Sequence, residues 1–182
     1  PHVRGFSMDR LWAHSRLVGQ CAQAIMRKGG PDKKAADDAF MAGLLHDIGK
    51  LILAANMPDV FGRVLDLMEK EGKSMLEAER AILEVTHGEL GGYLMGLWGF
   101  PDPVIESCIF HYRPGECPSE RFTSLGAVHV ANAMVNRFCP DEGTPRAGEL
   151  DMDFLRRVKV EELLPEWEGL CRDICLATEK KP

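Results

Sequence analysis

The sequence predicts an all-α fold, a multi-helix bundle, on three observations. Apolar residues recur at three- and four-residue spacing in segment after segment. Capping residues open several of these segments, and glycine or proline closes them. Strict apolar–polar alternation, the mark of a half-buried strand, is almost absent.

The elements follow in order. Ser7 can cap a first helix that runs to about Lys28, where Gly29, Gly30 and Pro31 stop it. A second helix is expected from about residue 32 to residue 56, ending before Pro58. Its outward start carries Lys33, Lys34, Asp37 and Asp38, and the rest is apolar nearly all round, as befits the centre of a bundle. Shorter helices are expected at 58–71 and 74–85, the latter opened by a Ser74/Glu77 capping box. Thr86 and Glu89 form a second box, for a helix reaching about Trp98. After Gly99 and Pro101 another helix ends near Tyr112, and residues 113–121 form a loop. A long helix spans 122–138, residues 140–150 connect, and one or two helices complete 151–179. The division expected is a helical domain over 1–138, with 139–182 a linker and a helical appendage packed on the same domain.

Composition narrows the function. With 45% hydrophobic and 27% charged residues, the 182-residue chain is apolar enough to bury a core and is not of the disordered class. A net charge of −6 argues against nucleic acid and acidic membrane surfaces as partners. The apolar run 39–55 is no membrane span. It carries His46, Asp47 and Lys50, and a charged group at a bilayer centre costs roughly 2.5–3.5 kcal/mol. Six cysteines include no C-x-x-C pair, so reduced thiols in a cytoplasmic protein are expected, not a thiolate zinc site. The opening at Pro1 reads as a piece of a longer protein.

The informative residues are polar groups on apolar faces. His14 lies in the stripe Leu11, His14, Val18, Cys21, Ile25. On the second helix Ala39, Ala42, His46, Gly49 and Leu53 share one face, and Phe40, Gly43, Asp47 and Leu51 the adjoining one. His87 opens a stripe through Leu90, Gly91, Leu94 and Trp98; His111 shares a face with Val104 and Cys108; Asn132 lies among Leu125, Val128 and Val135. A buried carboxylate must be paired, protonated or metal-bound. Imidazoles and a carboxylate suit Zn, Mn, Fe or Ni, and bundles build such sites from facing helices. His46 and Asp47, about 100° apart on one helix, reach one ion only if it sits between their directions.

Singly, each has a plainer reading. His129 reads as a hydrogen-bonded core residue, His2 as an exposed one, and Lys50 as a surface residue with a buried stem. Gly43 and Gly49 read as places where a neighbouring helix comes close. The set carries the argument: four histidines and one aspartate, all directed inward from separate segments.

These residues resemble a known family. Leu11-Trp12-Ala13-His14-Ser15 and Ala39-Phe40-Met41-Ala42-Gly43-Leu44-Leu45-His46-Asp47-Ile48-Gly49-Lys50-Leu51 look like the HDOD domain. So do Glu77-Ala78-Glu79-Arg80, Thr86-His87 leading to Gly91, Leu97-Trp98-Gly99-Phe100-Pro101 and His111-Tyr112-Arg113-Pro114. The resemblance covers about residues 6–138 and implies a helical bundle of the HD-domain type. That wider superfamily includes metal-dependent phosphohydrolases with the ligand order His, His-Asp, His, His-His, Asp. His14, His46, Asp47, His87 and His111 match in order, but Tyr112 replaces the second histidine of the pair and Asn132 the closing aspartate. No Gly-Tyr-Pro follows His111, so the mark of cyclic-di-GMP hydrolysis is missing.

The resemblance implies a signal-transduction output module acting by protein interaction, with a partly degenerate metal site. A signalling partner, or an attached sensory or receiver domain, is expected, with a homodimer as the assembly. The implied ligands are His14, His46, Asp47, His87, His111 and Asn132, for one divalent ion (Fe, Mn, Ni, Zn or Mg) rather than two, or none. The alternative is a phosphohydrolase acting on a nucleotide-type phosphoester, with Asp47 and Lys50 catalytic, Lys50 by contact with phosphate. A third reading is a relic in which the histidines bind nothing.

Overall fold

A computed structural model describes residues 3–29, 32–140 and 149–179. His2 and most of the 140–150 connection lie outside these. Among the described residues all regular structure is helical: α1 (Met8–Gly29), α2 (Lys33–Leu45), α3 (Ile48–Asn56), α4 (Pro58–Glu71), α5 (Met75–Leu83), α6 (His87–Leu97), α7 (Asp102–Phe110), α8 (Ser124–Phe138), α9 (Met152–Arg157) and α10 (Leu164–Glu179). Single 3-10 turns occupy Pro114–Glu116 and Glu161–Leu163.

Local chemistry sets most of the boundaries. Both capping boxes form, Ser74 with Glu77 and Thr86 with Glu89. Pro58 opens α4, and Gly72 closes it at φ 66°, where a side chain would be strained. Helix α5 stops short of the expected residue 85 because Glu84 turns left-handed at φ 62°, with its carbonyl accepting from Arg80 at 2.7 Å.

Two expectations fail. The segment 32–56 is not one helix: it breaks at His46-Asp47 into α2 and α3. Asp47 leaves helical geometry at φ −103°, ψ 12°, and the 100° spacing assumed for His46 and Asp47 no longer applies. Trp98, expected on an inward stripe, is 62% exposed. The inner face of α6 is made of His87, Gly88, Gly91, Gly92 and Met95, small residues that let its neighbours come close.

The helices pack around two apolar clusters. The larger joins Leu17, Val18 and Ile25 of α1 to Ala39 and Ala42 of α2, Val104 of α7 and much of α8. Phe154 and Leu155 of α9 and Trp167, Cys171 and Cys175 of α10 belong to it as well. The smaller joins Leu53 and Ala54 of α3 to Phe61, Val64 and Met68 of α4 and Ala78 of α5. The His46-Asp47 break is where the chain passes from one cluster to the other. Helix α6 bridges them, with Met95 in the larger and Leu90 against the smaller.

Candidate metal centre

Most of the inward polar groups sit at helix ends. His46 and Asp47 form the turn between α2 and α3, His87 is the first residue of α6, and His111 is the C-cap of α7. His14 and Asn132 project from within α1 and α8. Two close helix approaches bring these ends together. A Cβ on Gly43 would lie 2.6 Å from the Cα of Gly19, which fixes the crossing of α1 and α2. A Cβ on Gly49 would lie 1.8 Å from the backbone oxygen of His87, so the first turn of α3 rests on the first turn of α6. Asp47 thereby meets His87.

The result is a buried ring of side chains around Asp47. His87 Nε2 lies 3.1 Å and His111 Nε2 3.6 Å from Asp47 Oδ1, and His46 Nε2 lies 3.4 Å from Oδ2. Lys50 donates to Asp47 Oδ2 at 2.7 Å and lies 3.5 Å from the Tyr112 hydroxyl. His14 Nε2 is 2.9 Å from Asn132 Oδ1, an oxygen that also accepts from Asn136. The ring centroids of His14 and His46 are 5.5 Å apart, those of His46 and His111 4.9 Å, and those of His87 and His111 5.5 Å.

Hydrogen bonds on the far side of each ring set the tautomers. His46 Nδ1 faces the carbonyl of Gly43 at 2.7 Å and His111 Nδ1 that of Cys108 at 2.9 Å. A carbonyl only accepts, so both Nδ1 atoms carry hydrogen, and in the neutral rings Nε2 presents a lone pair. His87 Nδ1 donates to the Glu79 carboxylate at 2.8 Å, the carboxylate–histidine arrangement that orients metal-binding imidazoles. Glu79 is a residue the sequence reading quoted without assigning it a role. Its signal was an acid in the apolar stripe Met75, Ala78, Glu79, Ile82 of α5. His129 stands apart from the ring: its Nδ1 donates to the His111 carbonyl at 2.8 Å, and its Nε2 accepts from the Asp151 N–H at 2.8 Å.

Electrostatics follow from burial and partners. Burial works against the charge of Asp47, but His46 and the Lys50 ammonium outweigh it and hold the carboxyl well below its usual range. Burial pushes His46 and His111 down and takes His14 to about 4. His87 moves the other way, because the Glu79 and Asp47 carboxylates outweigh its burial. Asp47 likewise overcomes burial to raise Lys50, so the ammonium stays charged.

Four buried atoms make no well-formed hydrogen bond, His46 Nε2, Asp47 Oδ1, His87 Nε2 and His111 Nε2, although His87 Nε2 and Asp47 Oδ1 face each other as an ion pair at 3.1 Å. Polar atoms so poorly satisfied are costly in a core, and all four are metal-ligand atoms. Two three-residue sets have ligand atoms within 4.8 Å of one another, His14 with His46 and Asp47, and Asp47 with His87 and His111. The donors present therefore fit a divalent ion.

A family model for the HDOD domain matches residues 1–114. An uncharacterized protein of Treponema pallidum (strain Nichols) is 26% identical over 142 residues, 76% of this chain and 27% of the relative. The chain thus spans about a quarter of that relative's length. An HDOD domain protein of unknown function from Geobacter sulfurreducens superposes with a TM-score of 0.78 at 20% identity, over 98% of this chain and 64% of that one. A structure from Marinobacter aquaeolei VT8, provisionally described as a signal transduction protein, gives 0.73 at 22% identity, over 98% of this chain and 40% of that one. At these identities the structural likeness is one of fold.

Proposed function

The chain belongs to the HDOD domain family, and on that premise we propose that it is a signal-transduction output module that acts by protein interaction and keeps a divalent ion in its core. Residues 1–138 make up the module, and 139–182 are a linker and a helical tail packed on it. The observation that carries this reading is the pairing of His14 with Asn132 at 2.9 Å. An amide stands where the superfamily has its closing aspartate, and it satisfies the histidine that would otherwise ligate. A site so reduced suits an ion that braces the fold better than one that turns over substrate.

His46, Asp47, His87 and His111, which carry the four atoms without a well-formed hydrogen bond, would hold the ion. A three-imidazole, one-carboxylate set suits Zn, Fe, Mn or Ni; Mg, which prefers oxygen, suits it least. The partner is a signalling protein or an attached sensory or receiver domain, and the assembly a homodimer. Neither nucleic acid nor a membrane is a partner in this reading. Among the described residues no helix is long and apolar enough to cross a membrane. The module's setting is the cytoplasm.

The same donors also favour a second reading, a metal-dependent phosphohydrolase. The bound ion would supply an activated water and polarise a phosphoryl oxygen. Asp47 would orient the ligand shell. Lys50 would offer its charge to phosphate, at the cost of loosening its bond to Asp47.

One experiment separates the two. Protein purified without chelator is loaded with Mn(II), Fe(II) or Zn(II) and assayed on mono- and diester phosphates beside Asp47→Asn. The output-module reading expects no turnover above the variant's background. Hydrolysis that disappears in Asp47→Asn would replace it with the hydrolase.

A further inference from the structure

Helix α6 is apolar on both of its faces. The inner face, His87, Gly88, Gly91, Gly92 and Met95, is buried. The outer face carries Leu90, Tyr93, Leu94, Leu97 and Trp98, at three- and four-residue spacing along the other side of the helix. From Leu90 to Pro101 the chain has no charged residue. A helix apolar all round belongs inside a protein, whereas a surface helix turns charged groups to water. Among the described residues, the three most exposed large apolar side chains are those of Tyr93, Leu97 and Trp98, at 69%, 66% and 62%.

The patch stands on a rigid base. Gly99 turns left-handed at φ 73°, and the Phe100 N–H donates to the Met95 carbonyl at 3.1 Å, which closes the helix directly behind Trp98. Phe100 itself packs on the larger cluster. Gly96 is exposed beside Leu97, and a Cβ there would meet only Ile105 Cδ1, at 3.9 Å. It leaves a shallow notch between Tyr93 and Leu97.

Area and charge identify the occupant. The three side chains leave on the order of 400 Å² open, about half of the ~800 Å² that each side of a standard protein interface contributes. That is enough for the core of an interface, and the half-buried Leu90 and Leu94 extend it. Each copy of the chain carries a net charge of −6, so two copies repel wherever charged surface meets charged surface. On the uncharged outer face of α6 they approach without that cost. An uncharged face also carries no charge pattern by which a different, charged protein would be selected.

We propose that the outer face of α6, Tyr93, Leu97 and Trp98 around Gly96, is the surface through which two copies of this chain pair. A two-fold crossing of α6 on α6 sets the same apolar ridge against itself, with Leu97 of each copy over the Gly96 notch of the other. The inference names the surface of the homodimer in the reading above and rests on that assembly. It needs no ion in the core.

The test is sedimentation velocity of the full chain between about 1 and 300 µM, where a monomer–dimer equilibrium with a Kd on the order of 10 µM is expected. Leu97→Glu and Tyr93→Lys are each expected to weaken the dimer at least tenfold, because each brings two like charges together across the two-fold. The two substitutions move the net charge in opposite directions, so an effect of overall charge would not weaken both. Both side chains are exposed, so helix content and Tm by circular dichroism are expected to stay unchanged. Leu176→Glu, on the exposed side of α10, is expected to leave the equilibrium where it was. A dimer that persists in both α6 variants overturns the surface and leaves the homodimer standing. A wild type that stays monomeric up to about 300 µM overturns the surface and the homodimer together, leaving the face to a different signalling protein and the output-module role to the phosphoester assay.

Discussion

Burial holds four imidazoles, His14, His46, His111 and His129, below the ordinary histidine range, His14 at about 4. Between pH 6.5 and those lowered values the unfolded chain binds protons that the folded chain refuses. Stability therefore falls with pH by roughly 1.4 kcal/mol per unit for each such ring. His87 is raised, so its contribution is present below pH 6.5 and is lost as pH rises through its folded value. Asp47 is depressed, and its contribution, present above the ordinary carboxylate value, is lost at the acid end. With four rings lowered against one raised, the melting temperature of chelator-treated protein is expected to drop steadily from pH 6.5 toward pH 4. A calorimetric melting temperature flat across that window would mean the rings are charged in the folded state. Sequence pattern pointed these residues inward. His46 and His111 bond the carbonyl three residues back in their own helices, but the partners of His14, His87 and His129 are an amide, a glutamate and a carbonyl brought in by other elements, which the pattern could not assign.

At the scale of elements, helix approach builds the site. Gly49 is the tightest contact, and a methyl there would meet the backbone oxygen of His87, which cannot swing aside as a side chain would. Gly49→Ala is expected to cost about 3 kcal/mol or more, read as a lowered urea midpoint. Gly169, inside α10 with nothing within 4 Å of an added Cβ, provides the contrast. Gly169→Ala is expected to raise stability by about 0.5–1 kcal/mol through helix propensity alone. Equal midpoints for the two variants would show that the α3–α6 approach can relax. The sequence suggested that Gly49 and Gly43 admit neighbouring helices, but not which ones, since a glycine does not name what fills its space.

For the whole molecule, the tail from residue 149 onward is built into the larger cluster. Trp167 is 2% exposed and stacks on Phe122 with ring centroids 4.9 Å apart, while Cys171 and Cys175 are buried beside α1 and α8. Trp167→Ala is expected to cost about 3–5 kcal/mol and to shift one cooperative unfolding transition measured by circular dichroism. An unchanged midpoint, or a separate early step, would mean that α10 melts independently of the site. The two clusters also explain the position of the break in 32–56. The turn at His46-Asp47 redirects the chain, so that the first turn of α3 rests on the first turn of α6 and Leu53 and Ala54 join the smaller cluster.

What the sequence determined by itself was whatever depends on neighbours in the chain: the all-helical class, both capping boxes, the bounds of α4, and the inward bias of His46, Asp47, His87 and His111. The motif order was also enough to point to the HDOD family. What only the tertiary structure decided was whatever depends on groups distant in the chain. The turn at His46-Asp47, the exposure of Trp98, the Glu79–His87 bond and the capture of His14 by Asn132 are of this kind. Periodicity tells which way a side chain leaves its own helix. Whether a buried nitrogen meets an amide, a carbonyl or an open ligand position depends on how the other helices pack against it.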